Sequence, residues 1–306
     1  MPSSWSVPAR PGSNALGRSD SADMRSLWPR RGACWAGGSP RRAGCRGSRK
    51  WGRVRDYRVH QIRKMANVHT YLESRLDAQA VLDYGFTRVI LATGGTWRRD
   101  GVGRTHTRPL PGLSETKVYG PEDVFAGQKL ENPVVIYDDD RYYLGGVLAE
   151  KLRLEGLRVT LVTPASDVSN WTHATLEQGW IEQRLSDIGV TIVEKHQAVA
   201  AAAGGLRVMH ARNGREHILP CASLVLVTMR QQNDALYAEL ASDPDRLEAA
   251  GIRCVTRIGD CLAPSTIAAA VYAGHRAARE MDAAPSDAVP FRRELMALEP
   301  LSPPAA

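Results

Sequence analysis

The chain has 306 residues, 43% of them hydrophobic and 24% charged, with 40 Lys+Arg against 33 Asp+Glu and a formal net charge of +7. That length suits about two domains, the apolar content is ordinary for a soluble globular protein, and no stretch approaches the roughly 20 apolar residues that a membrane span needs. The excess charge is local: residues 1–50 hold ten basic residues and two acids, Asp20 and Asp23, which leaves 30 basic and 31 acidic side chains downstream. Contact with nucleic acid is therefore supported only for that segment, and the body of the chain argues against it.

Residues 1–50 are Arg, Gly, Ser, Pro and Ala with scattered Trp5, Trp28 and Trp35, and they show no helical or strand periodicity. Such a composition does not bury enough apolar surface to offset its ordering entropy. A disordered basic tail, a transit peptide and an out-of-frame reading of a GC-rich gene all produce it. The third is favoured, and under each the segment stands outside the fold. The five cysteines, Cys34, Cys45, Cys221, Cys254 and Cys261, contain no C-x-x-C pair. They support neither a metal site nor a disulfide framework, and read as reduced thiols in a cytoplasmic protein.

From Trp51 the pattern changes. Asp56–Arg75 is polar and helical in part, and a short helical piece, Val81–Tyr84, stops at Gly85. Arg88–Ala92 is a buried strand running into Thr93, Gly94 and Gly95, followed by a loop-rich stretch over 98–132 punctuated by prolines. Val134–Tyr137 is a strand, Gly145–Glu155 a helix closed by Gly156, and Arg158–Val162 a strand. That βαβ unit implies a parallel sheet. Thr175–Ile188 reads as an amphipathic helix and Val190–Val193 as a strand. Residues 197–219 suggest a β-meander turning at Gly204-Gly205 and Asn213-Gly214. Ser223–Thr228 and Cys254–Ile258 are further strands, Asp245–Ala250 a short helix, Pro264–Met281 a long alanine-rich helix, and 285–306 a Pro-rich tail.

Two places can carry chemistry. One is the strand ending Ile258-Gly259-Asp260 with a helix directly behind it, a feature that recurs with a strand ending Ala92-Thr93-Gly94 in flavoproteins that carry two dinucleotide-binding domains. A helix N-terminus offers free N–H groups and a positive dipole end to a pyrophosphate. Asp260 can accept from ribose or ribityl hydroxyls, or serve only as a cap. Ser265 and Thr266 stand in the first turn of that helix. The other place is the loop after Tyr137, where a G-x-G-x-x-G turn would bind nicotinamide nucleotide. It reads Asp138-Asp139-Asp140-Arg141-Tyr142-Tyr143-Leu144-Gly145-Gly146. Only Gly145 remains of the motif, and three carboxylates are expected to face the phosphates, each repulsion costing on the order of 1 kcal/mol or more. The next strand ends Thr163-Pro164, without the acid or Arg that reads a ribose or its 2′-phosphate. NAD(P)H binding is not expected here; rescue of the loop by Arg141 or a metal is the alternative. Tyr142 and Tyr143 read as packing, and His173 and His275 as surface or capping histidines.

The runs VILATGG, VVIYDDDRYYLGGVLAEKL, VTLVTP and IGDCLAP…AGHRAARE, with WGRVRDYRVHQI ahead of them, resemble the C-terminal, dinucleotide-binding half of the trimethylamine, dimethylamine and histamine dehydrogenases. These are iron–sulfur flavoproteins of the NADH:flavin oxidoreductase, old-yellow-enzyme-related class, and the resemblance covers roughly residues 51–290. It implies an α/β, Rossmann-like FAD/NAD(P)-binding fold: 51–130 with 231–285 as a partial FAD/ADP-binding domain, 131–230 as an inserted NAD(P)-binding-like domain, and 286–306 as tail. It implies FAD or ADP at Thr93, Gly94, Gly259, Asp260, Ser265 and Thr266, with Asp138, Asp139, Asp140 and Gly145 as a degenerate nucleotide loop. The family's FMN and 4Fe–4S cluster belong to a barrel that precedes this region, and neither the barrel nor the opening strand–GxGxxG–helix unit is found here. The chain alone is therefore expected to be truncated and inactive in amine oxidation. An electron-transfer flavoprotein partner and a homodimer are implied for the full-length family member, and no nucleic-acid or membrane partner. A non-catalytic ADP- or flavin-binding scaffold, and a piece of a dienoyl-CoA-reductase-like NADPH-dependent flavoenzyme, are the alternatives.

Overall fold

The computed structural model describes residues 3–7 and 26–29 as backbone strands, and residues 52–72 and 74–281 with their side chains. In chain order the elements are β1 Ser3–Val7, β2 Ser26–Pro29, α1 Gly52–Arg63, β3 Val68–Tyr71, α2 Ala78–Asp83, β4 Arg88–Ala92, β5 Gly95–Trp97, β6 Lys117–Tyr119, α3 Pro121–Phe125, β7 Val134–Asp138, α4 Tyr143–Leu154, β8 Val159–Val162, α5 Gln178–Asp187, β9 Thr191–Val193, β10 His196–Ala202, β11 Gly205–His210, β12 Glu216–Pro220, β13 Ser223–Val227, β14 Arg230–Gln232, α6 Ala235–Ala241, α7 Pro244–Ala249, β15 Cys254–Arg257 and α8 Ile267–Glu280.

Two five-stranded sheets organise these elements. One, in the order β6-β13-β7-β8-β9, is parallel throughout. Its central strands β7 and β13 are buried at every position and apolar at all but one residue each, Asp138 and Ser223, as burial on both faces favours. Val134, Ile136, Val225, Val227 and Leu161 point to one face, against Leu144, Leu148 and Leu152 of α4 and Leu185 of α5. The alternate residues Val135, Tyr137, Leu224 and Leu226 point to the other, against Ala198, Ala201, Leu206 and Val208 of the antiparallel meander β10-β11-β12. The strand period of two thus feeds two cores from one sheet, and each fully buried Leu, Ile or Val contributes roughly 1.5–3 kcal/mol.

The second sheet runs β15-β4-β1-β2-β3. β4 pairs parallel with β15 and antiparallel with β1, with Ser3 opposite Ala92 and Val7 opposite Arg88. The first fifty residues, expected to stand outside the fold, therefore contribute two strands; their other residues, and the tail 286–306, lie outside those described. Ala78, Val81, Leu82, Val89, Leu91, Leu240 and Ile252 fill one face. On the other face Ala273 and Ala277 of α8 pack on Ile90, Ala92 and Ile258. The two sheets are joined by the antiparallel pair β5–β14, in which Trp97 faces Arg230 and Gly95 faces Gln232. Among the described residues no helix is long and apolar enough to cross a membrane.

Several boundaries differ from the sequence expectation. The helix expected over Thr175–Ile188 begins at Gln178, because Leu176 adopts φ 60 and ends a 3-10 turn over Asn170–Thr175. The helix expected from Pro264 begins at Ile267, since Thr266 is extended and caps it. Asp56–Arg75 divides into α1 and the strand β3.

Candidate functional site

At the carboxyl end of β7 the aspartates turn inward rather than toward solvent. Asp138 and Asp139 are both fully buried. The Asp139 carboxylate accepts the Thr105 backbone N–H at 2.6 Å and its hydroxyl at 2.7 Å. It also pairs with Arg141 Nη2 at 2.8 Å, and Arg141 reaches this position from a left-handed backbone, φ 62. The Asp139 and Asp140 N–H groups both donate to the Val227 carbonyl. Asp138 Oδ1 accepts from Arg141 N at 2.9 Å, while Oδ2 has no hydrogen-bond partner. Burial, and then the carboxylates of Asp140 and Asp139, push the Asp138 carboxyl up to about 8. Its side chain rests on Gly145 in the first turn of α4, where any Cβ would collide with it.

The expected face of three carboxylates is corrected accordingly. Asp139 is neutralised by Arg141, Asp138 holds a proton at neutral pH, and neither carboxylate lies on the surface. Gly145 is present as expected, but the space beside it is filled by Asp138. Tyr143 hydrogen-bonds Thr175 at 3.0 Å and Glu177, while Tyr142 packs on Tyr143 at 4.3 Å. His173 is exposed beside Asp167 at 3.3 Å, and His275 is exposed on α8.

The second candidate region lies where β4 and β15 end side by side. Arg257 pairs with Leu91 and Ile258 N donates to Leu91 O, which sets Thr93-Gly94 beside Gly259-Asp260. The Thr93 hydroxyl contacts the Asn233 carbonyl and Cys261 Sγ, the latter at 3.0 Å. Gly94 and Gly259 have φ 80 and 59, a region that favours glycine. Around Gly259 a Cβ would meet nothing nearer than Ala270 Cβ at 3.7 Å, so the backbone there is open to an approaching group.

Asp260 serves the protein first. Its Oδ2 takes Arg230 Nη1 at 2.7 Å and its Oδ1 the Ser265 N–H at 3.0 Å. Arg230 also donates to the Ser265 carbonyl at 2.6 Å and lies over the Trp97 ring at 5.3 Å. Gln232 donates to the Leu262 carbonyl at 2.7 Å. β14 is thereby tied to the loop before α8. Thr266 caps α8 by accepting Ala269 N–H at 3.3 Å, which leaves the N–H groups of Ile267 and Ala268 at the helix mouth.

Sequence reasoning missed Arg230, Asn233 and Thr105. They lie in short or irregular segments whose partners are 30 or more residues away, and no local spacing signals them. Chemically, this edge offers carboxylate acceptors and helix N–H donors, the complement of a ribose phosphate. Among the described residues the thiols do not suit a four-iron cluster: Cys221 and Cys261 are buried, Cys254 is exposed, and no group of three or more His, Cys, Asp or Glu could hold a metal.

Residues 119–217 match the family model OYE-like second alpha/beta domain. The chain is 30% identical over 272 residues to dimethylamine dehydrogenase of Hyphomicrobium sp. (strain x), a match covering 80% of this chain and 37% of that protein. Histamine dehydrogenase from Rhizobium sp. 4-9 superposes with a TM-score of 0.86 at 42% identity, covering 89% of this chain and 42% of the other. The 6-hydroxypseudooxynicotine amine oxidase from Pseudomonas geniculata N1 gives 0.78 at 39% identity, covering 81% and 37%. The chain spans about two fifths of the length of these relatives. These matches support the expected family resemblance, and the family model assigns residues 119–217 to the OYE-like second α/β domain rather than to a dinucleotide-binding half. Over that part of their length the chain is a homologue of the dimethylamine and histamine dehydrogenases, with an OYE-like second α/β domain at residues 119–217.

Proposed function

We propose that the chain is part of a flavin-dependent amine dehydrogenase or demethylase and supplies its adenine-nucleotide-binding, Rossmann-like region rather than its reacting centre. The observation that supports this reading is the edge formed by Thr93-Gly94, Gly259-Asp260 and the mouth of α8. ADP or FAD would lie with its phosphates at the Ile267 and Ala268 N–H groups and its ribose hydroxyls toward Asp260. Ser265 and Thr266 hold that loop in shape, and Arg230 keeps Asp260 oriented. Bound ADP would supply structural anchorage, and bound FAD a two-electron flavin. FMN and a 4Fe–4S cluster would belong to a separate catalytic barrel, since the described thiols suit no cluster. An electron-transfer flavoprotein is the partner class that such a protein serves, and a cytoplasmic setting fits its reduced thiols.

Titration of the 15N-labelled chain with ADP tests the assignment. Millimolar ADP is expected to shift the amides of Gly94, Gly259, Ile267 and Ala268, and Asp260→Asn to weaken the response several-fold. Shifts confined to Gly145 and Gly146 at the start of α4, or no shifts at all, would contradict it.

A further inference from the structure

We infer that residues Gly103–His106 form a built-in strap that closes the crevice at the carboxyl edge of the parallel sheet, and that Asp139 is the group holding it shut. In open α/β sheets, ligands enter beyond the carboxyl ends of the strands. Here the sheet order runs β13-β7-β8 across that edge, and the strap touches the ends of β13 and β7 and the 3-10 turn that follows β8. Gly103 lies over the end of β13: a Cβ there would come within 3.0 Å of Thr228 Cβ and 2.6 Å of Asp139 Oδ2. Thr105 is bound to Asp139, just past β7, through both its N–H and its hydroxyl. The His106 ring meets the buried Tyr137 hydroxyl at 3.3 Å. Arg104 reaches Trp171, in the segment that follows β8, with its guanidinium carbon 5.5 Å from the ring centre.

The strap is also closed on itself. Gly103 N–H donates to the His106 carbonyl at 2.9 Å, and Leu110 N–H to the Asp100 carbonyl at 2.8 Å. Arg141 completes the latch by donating both to Asp139 Oδ1 and to the Thr105 hydroxyl, the second at 2.9 Å. Thr105 therefore gives Asp139 the N–H and O–H bonds that a ligand's polar groups would otherwise make. Gly103 is the one residue whose lack of a side chain lets the backbone pass this low. A nucleotide entering the crevice would have to displace a satisfied, buried ion pair. The strap packs on the inserted unit, through Tyr137, Asp139, Arg141 and Trp171, and these contacts include none of the residues of the Asp260 edge.

Residue-resolved hydrogen exchange on the full chain, with NADH as the probe ligand, tests the latch. The Gly103 and Thr105 amides should be protected at least ~100-fold relative to free peptide, as expected for latched rather than locally open backbone. Asp139→Ala, and separately Gly103→Ala, should raise exchange across 102–106 by at least ~10-fold while Val135 and Val225 in the sheet keep their protection. Thr105→Val removes only the hydroxyl bonds and should give a smaller rise in the same amides. If Asp139→Ala does not fold, the other two variants decide. Random-coil exchange at Thr105 in the unaltered chain would overturn the inference. So would unchanged protection in Gly103→Ala, or saturable NADH binding that leaves the strap amides protected.

Discussion

Asp138→Asn is expected to stabilise the protein, and by an amount that grows with pH. The folded chain holds the Asp138 carboxyl at about 8, against roughly 3.9 for an unfolded Asp. Between those values the native state keeps a proton that the unfolded state has lost. Stability is therefore fully present below about pH 4, falls by about 1.4 kcal/mol per unit as pH rises toward 8, and then levels off. Asn reproduces the shape of the neutral acid without that linkage. At pH 7 the gain should be roughly 3–4 kcal/mol, which for a chain of this size raises the melting temperature by roughly 5–10 °C. At pH 4.5 the difference should shrink to about 2 °C or less. Melting curves of both proteins between pH 4.5 and 8 measure it. An equal offset at every pH, or a less stable variant, would show that Asp138 is ionised in the native state.

The second large effect is on flavin affinity. An adenine-dinucleotide site of this architecture takes its phosphates on a glycine-rich turn at the carboxyl end of a parallel strand. No G-x-G-x-x-G occurs anywhere in the 306 residues. In the sheet, the position beside β4 is held by β1, which runs antiparallel. It brings its amino end, Ser3 opposite Ala92, to the edge where that turn would stand. The surviving wall lacks two or three N–H bonds to charged oxygens, each worth roughly 1.5–3 kcal/mol. The sum, about 3–9 kcal/mol, corresponds to a loss of roughly 10²–10⁶ in affinity, so a micromolar site weakens to about 0.1 mM or beyond. The protein should be isolated colourless, and added FAD should be removed by a single desalting step. A stable yellow complex near one flavin per chain, released by Asp260→Ala, would mean that the first fifty residues complete the site.

Much of the sheet and of the meander was legible in the sequence because their signals are local. Apolar runs bounded by Gly or Pro gave β4, β7, β8 and β13, and paired glycine turns gave the meander. What escaped was set by long-range pairing. β5 and β14 are three residues each and exist only through one another. The direction in which the aspartates point depends on Thr105, more than 30 residues upstream, and no periodicity encodes that contact. Charge counting along the loop therefore gave three exposed carboxylates where the fold neutralises one, buries another as its acid, and covers the edge. At the second candidate region the sequence identified Gly259 and Asp260, but not that Arg230 already holds the acid in place. The resemblance carried the family assignment further than any single motif, since Ala-Thr-Gly and Ile-Gly-Asp are each weak alone.

The most direct test of the whole account is an amine-oxidation assay on the purified chain with an artificial electron acceptor. The reacting flavin and the cluster are proposed to lie outside these residues, because the described thiols suit no cluster and the proposed adenine-nucleotide edge is one-sided. Trimethylamine, dimethylamine and histamine should each give no reduction of the acceptor above buffer, with or without added FAD. Sustained, amine-dependent reduction by this chain, abolished by boiling and saturating with substrate, would contradict it.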